Sequence, residues 1–307
     1  MSTQAIQKLE PRAQSGNVWL SGGNGALPTG DFPVYKFEVL PTEAEVGRAM
    51  LDELESYAST KNGDLVVVLL GGRGAQAMYR IIRERAETDE LDALLARLHV
   101  FTQDALAPMR MDNSLSFVRD FERLLGTKFF SKIKSFTSIR TETDDIEHEM
   151  CVYVETIRDL GGIDVFFLGL GPEAEAASHI CYIKPGSGAR AGDWAGIIPI
   201  SPTILEHHIS KFKVGGSTVS ADDEAECRSA GHILTLGPAA VLGAKKIVQS
   251  IVDASTAPGK IPSFRRFVET ELSPDPGVLA RQCDENPGLW IRLHPNVSAF
   301  VLPDLLS

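Results

Sequence analysis

Short apolar runs that end in glycine and pass straight into segments of helical spacing recur along this chain, and that alternation leaves few folds open. Asp64-Leu65-Val66-Val67-Val68-Leu69-Leu70 is one such run, closed by Gly71-Gly72-Arg73-Gly74 and followed by helical spacing from Ala75 to Glu87. Ahead of it, Val46, Met50, Leu51, Leu54 and Tyr57 mark a helix from Thr42 to about Lys61. The unit repeats with strands near 98–102, 134–139 and 164–168 and helices near 114–125 and 144–160. Strands that alternate with helices in this way predict one α/β domain, a mainly parallel, doubly wound, Rossmann-like sheet with helices on both faces. Further strands are expected at 194–200, 232–236 and 246–252, helices at 238–242 and 276–283, and an extended stretch at 290–301; 183–193 and 210–230 read as longer links.

Domain organisation follows from the same pattern. Residues 1–37 are largely polar, with turn-prone Ser15-Gly16-Asn17 and Gly22-Gly23-Asn24-Gly25, and read as a loosely ordered extension ahead of one domain at 38–307. A formal charge of −11, from 41 acidic residues against 30 Lys plus Arg, argues against nucleic-acid binding or an anionic membrane surface, so an anionic ligand needs local cations. No apolar window is long enough to span a bilayer and no leader pattern opens the chain. Cys151, Cys181, Cys227 and Cys283 stand far apart without metal-ligand spacing, which suits reduced thiols in a cytoplasmic protein. His179, His207, His208, His232 and His294 also lack ligand spacing, so neither a metal nor a cofactor is expected.

Five places carry chemistry. Gly71, Gly72, Arg73 and Gly74, between a strand and a helix, read either as a phosphate cradle of backbone N–H groups and guanidinium or as a tight turn with a solvated arginine. Asp104, at the carboxyl end of a strand, reads as a general base or as a turn aspartate. Asp112-Asn113-Ser114 offers a helix cap, or in Ser114 a substrate hydroxyl contact, and Lys260 opens a helix just past a strand as an anion contact or a surface charge. Asp164 to Ser178 reads as a buried strand, the tight turn Gly169-Leu170-Gly171, and a helix starting after Pro172 with Glu173 and Glu175 at its N-terminus.

Taken in order, Gly71-Gly72-Arg73-Gly74, Thr102-Gln103-Asp104, Asp112-Asn113-Ser114, Leu168-Gly169-Leu170-Gly171-Pro172, His232 to Gly237 and Lys260 resemble the family of glucosamine-6-phosphate deaminases and 6-phosphogluconolactonases, over roughly residues 38–302. Lys184-Pro185-Gly186-Ser187 and Leu293-His294-Pro295-Asn296 are similar to the deaminase branch, and Ala176-Ala177-Ser178 to the lactonases. The resemblance implies a sugar phosphate as the small-molecule partner, proton transfer between C1 and C2 by Asp104, and a histidine that opens the sugar ring. It leaves a homo-oligomer open. The family's Asp-Gly-His falls on Glu173-Ala174-Glu175, so Glu173, Glu175 and His179 are the nearest groups for the missing histidine's part. The family's phosphate arginine falls near Pro202, where none stands, and Lys184 occupies an acid's place. Three functions stay open: a deaminase or isomerase, a catalytically silent sugar-phosphate binder, and a lactone hydrolase in which Glu175 activates water.

Overall fold

The computed structural model describes residues 8–14, 16–23 and 25–307. Fourteen strands are formed among them: β1 (Glu10–Gln14), β2 (Asn17–Ser21), β3 (Glu38–Val39), β4 (Leu65–Leu69), β5 (Leu98–Thr102), β6 (Asp104–Ala107), β7 (Ser135–Thr137), β8 (Val165–Leu168), β9 (Gly171–Pro172), β10 (Ser178–His179), β11 (Asp193–Pro199), β12 (His232–Leu236), β13 (Lys246–Ile251) and β14 (Val297–Val301). Seven of them make a wholly parallel sheet in the order β3-β14-β13-β8-β4-β5-β7. Every residue of β4 and β8 is buried, as expected where helices cover both faces of a parallel sheet. Alternate side chains serve opposite layers: Val66, Val68, Phe166 and Leu168 join one apolar cluster, Val67, Leu69, Val165 and Phe167 the other.

The order of strands fixes where a ligand can enter. From β4 the chain winds outward through β5 to β7, and from β8 it winds the other way through β13 to β14. The connections that leave β4 and β8 therefore diverge and open a crevice at their carboxyl ends. Gly71–Gly74 leaves β4 there, and Gly169–Gly171 leaves β8. At the opposite end, the Asp164 carboxylate accepts hydrogen bonds from Val66 N at 2.8 Å and Lys61 Nζ at 2.6 Å, which ties β8 to β4.

The doubly wound parallel sheet and the helices at 43–60, 76–86 and 146–159 are as the sequence predicts. Thr42 caps the first by accepting from Glu45 N. Several segments differ. Strands 193–199 and 232–236 leave the parallel sheet and build a second, antiparallel one in the order β1-β2-β11-β12-β6. Residues 10–21, expected within a loose extension, supply its edge hairpin, while the first seven residues of that extension lie outside the described residues. Trp19 holds the hairpin down: its indole is fully buried, would meet any Cβ at Gly196 within 2.6 Å, and donates to Ser187 O at 3.0 Å. Turn-prone glycines on either side hid this short pattern.

Helices Pro202–Val214 and Ala221–Ser229 form where the sequence suggests none, the second lying wholly within the expected 210–230 link. The capping serine of the helix Phe117–Lys132 is Ser116, which accepts from Arg119 N, rather than Asn113 or Ser114. Residues 289–292 are helical, and the extended stretch begins only at Val297. No α-helix follows Pro172: a single turn at Ala174–Ala176 leads into β10, with Glu175 and Ala176 in the left-handed region at φ 55° and 60°.

Candidate active site

Asp104 stands where the chain changes sheets. Thr102 ends β5 of the parallel sheet, Gln103 intervenes, and Asp104 opens β6 of the antiparallel sheet. The carboxylate thus lies at the junction of the sheets, in a cleft that opens to solvent. Only 3% of Asp104 is exposed, and its Oδ1 has no hydrogen-bond partner among the described residues. Burial pushes its pKa up to about 7, against the opposing pull of the Lys211 charge and a hydrogen bond from Gln103.

Across the cleft lies His179, 7% exposed. Antiparallel pairing sets its place, because β10 folds back on β9 with His179 opposite Gly171. A Cβ at Gly171 would come within 1.9 Å of His179 Nε2, so the ring needs that glycine beneath it. His179 Nδ1 is 2.8 Å from Glu173 Oε1, which orients the imidazole as a carboxylate does in a catalytic pair. Non-glycine residues with left-handed backbone flank the strand on both sides, Glu175 and Ala176 before it and Cys181 and Tyr182 after it. Such strain persists where surrounding contacts over-determine it; here Ser263 Oγ donates to Ala177 O at 2.7 Å and Thr235 Oγ1 to Cys181 O at 2.5 Å.

Three cations line the cleft, and two already have anionic partners. Arg73 Nη2 lies 2.8 Å from Glu43 Oε1, and Lys260 Nζ is paired with Asp253, both groups being nearly buried. Lys211 has no carboxylate partner among the described residues. Its Nζ lies 5.0 Å from the Phe117 ring centre and 4.6 Å from that of Tyr182, and beside Gly72, whose Cβ would fall 3.3 Å from it. Burial lowers the Lys211 pKa to about 8, with Asp104 opposing the shift.

Of the candidates read from sequence, Gly71, Gly72, Arg73, Gly74, Asp104, His179 and Lys260 share this cleft. Glu173 stands behind His179. Glu175 does not line it; with Lys184 and Arg266 it borders a separate surface cleft, and its carbonyl accepts from Arg266. Ser114 also lies elsewhere, with its backbone N–H directed at Asp223. His208 is a core residue, bonded through Nε2 to Leu115 O and through Nδ1 to the Tyr182 hydroxyl, and His294 is held by Ala244 O and Asn296. Sequence reasoning missed Lys211, His207 and Asp253. The first two had a signal: Ser201-Pro202 is a cap followed by proline at the first helical position, and Ile204, His208 and Phe212 repeat at four-residue spacing. His207 and Lys211, also four apart, fall on the cleft side of that helix.

Fold and cleft together define a doubly wound α/β protein with a polar cleft at its topological switch point. No family model matches the chain. It is similar to the glucosamine-6-phosphate deaminase of Corynebacterium kroppenstedtii, at 23% identity over 261 residues, 85% of this chain and 87% of that one. To that of Mycolicibacterium smegmatis it is 26% identical over 154 residues, 48% of this chain and 54% of the other. Among solved structures, a monomeric glucosamine-6-phosphate deaminase superposes with a TM-score of 0.68 at 19% identity, over 88% of this chain and 98% of that one. The 6-phosphogluconolactonase of Thermotoga maritima gives 0.59 at 17% identity, over 87% and 98%. The chain is thus similar in sequence to glucosamine-6-phosphate deaminases and in fold to both those enzymes and the 6-phosphogluconolactonases, in line with its motif order. Among the described residues, no helix is long and apolar enough to cross a membrane.

Proposed function

We propose that the protein acts on a sugar phosphate as an aldose-ketose isomerase or deaminase, with Asp104 moving a proton between adjacent sugar carbons. The reading is carried by the convergence on one cleft of a buried carboxyl, an oriented imidazole and an uncompensated lysine. A carboxyl whose pKa lies near 7 accepts and returns a proton at neutral pH with little driving force lost either way. His179, held through Nδ1 by Glu173, presents Nε2 to the sugar and takes the ring-opening part that the resemblance gives to the absent motif histidine. Lys211, further along the helix that begins at the position lacking the expected arginine, takes the phosphate together with the backbone of Gly71–Gly74. Lys260 contributes less, because Asp253 already neutralises it.

Lactone hydrolysis through Glu175 is disfavoured, because Glu175 stands outside the cleft. The test is release of ammonia, or formation of a ketose phosphate, when the purified chain is given glucosamine 6-phosphate or a related aldose phosphate, with Asp104→Asn as control. Product that depends on Asp104 supports the reading. Thermal stabilisation by sugar phosphates without product would make the chain a binder, and hydrolysis of a phosphorylated lactone alone would replace isomerisation by hydrolysis.

A further inference from the structure

His207 is a polar side chain of the cleft that the proposed chemistry does not use. His207 lies one helical turn before Lys211, lines the same cleft, and has no hydrogen-bond partner among the described residues. Polar side chains that turn toward a ligand site without a protein partner are the ones a ligand satisfies. Around His207 stand Lys211 on its own helix, His179 on β10, and Asp253 and Lys260 from the segment that follows the carboxyl end of β13. Three of these four neighbours carry or can carry positive charge, so a proton on the ring is opposed and an anion beside it is favoured.

We infer that His207 contacts the anionic end of the ligand directly, forming with Lys211 a two-residue anion subsite on the helix Pro202–Val214. The inference rests on the sugar-phosphate reading and specifies its phosphate end. Four-residue spacing points both side chains from the same helical face, and Lys211 is fixed beside the Gly71–Gly74 loop by its aromatic contacts, so His207 extends the subsite along the helix. In its neutral form the imidazole offers one N–H to a phosphate oxygen and needs no counter-charge. Burial and the neighbouring cations pull its pKa down to about 3, so the neutral form is the one present at working pH. A neutral donor adds a directed hydrogen bond where a further cation would add repulsion to Lys211 and Lys260.

The experiment is calorimetric titration of the full chain at pH 7.5 with glucosamine 6-phosphate and with inorganic phosphate, for the parent, His207→Ala and His207→Gln, with circular dichroism to establish folding. His207→Ala is expected to weaken both ligands about tenfold. His207→Gln, whose side-chain amide keeps an N–H, is expected to lose threefold or less. If the parent binds these ligands and His207→Ala binds them equally well, the inference falls while the sugar-phosphate reading stands. Failure of the parent to bind any phosphate ligand overturns both. A variant that binds normally but turns over slowly moves His207 from the anion to the reacting carbons and also overturns the inference.

Discussion

Replacing Asp104 by asparagine is expected to abolish turnover and to stabilise the protein, by an amount that depends on pH. In the folded chain the carboxyl is buried, one oxygen has no partner among the described residues, and its pKa is raised from 3.8 to about 7. Folded protein therefore holds this proton more tightly than unfolded protein does. Stability associated with the group is fully present below pH 3.8 and is lost as pH rises through about 7. A shift of about three units corresponds to a cost of about 4 kcal/mol for keeping the ionised group folded at pH 8, at about 1.4 kcal/mol per unit. Asparagine resembles the protonated carboxyl in shape and carries no charge, so Asp104→Asn avoids that cost. The gain over the parent should be near zero at pH 4, grow by about 1.4 kcal/mol per pH unit toward neutrality, and level off near pH 8. The attraction of Lys211 for the anion is already contained in the shifted pKa, so the gain at pH 8 is the full amount of about 4 kcal/mol. Urea unfolding at pH 5 and pH 8, followed by tryptophan fluorescence, measures the difference between the two proteins. A gain of equal size at both pH values, or a less stable Asp104→Asn at pH 8, would refute the burial argument for Asp104 and with it the case for a base poised near neutrality.

Other perturbations separate the parts of the site. Gly171→Ala, whose Cβ would fall 1.9 Å from His179 Nε2, should displace the imidazole and cut kcat at least 100-fold while the chain stays folded by circular dichroism; undiminished kcat would remove His179 from the mechanism. Lys211→Met removes the positive charge that lowers the Asp104 pKa, so the acid limb of the kcat/KM profile should move to higher pH as ligand affinity falls; an unmoved limb would mean that the two groups do not interact. Arg12→Ala strips the buried Asp193 carboxylate of its cation and should cost about 2 kcal/mol in urea unfolding, whereas no loss would show that the hairpin adds nothing to stability.

The sequence by itself determined the parallel sheet and the glycine turns at its edge. The strands 65–69 and 165–168 are continuous apolar runs, and their glycine closures are local requirements of a strand that must turn into ligand-facing backbone. Asp104 and Lys260 were legible for the same reason: each lies in the segment that leaves the carboxyl end of a parallel strand, which is where such sheets bind ligands. The tertiary structure decided the rest. Whether Glu173, Glu175 or His179 faces the cleft depends on a backbone reversal after Pro172 that no periodicity announces, in which β10 pairs with β9 and turns Glu175 away. Lys211 and His207 arrive on a helix, and Asp104 gains its burial, only where the antiparallel sheet closes against the parallel one. A carboxyl's pKa, a lysine's freedom from a counter-ion and an imidazole's orientation are set by neighbours distant in sequence, and only folding makes them adjacent.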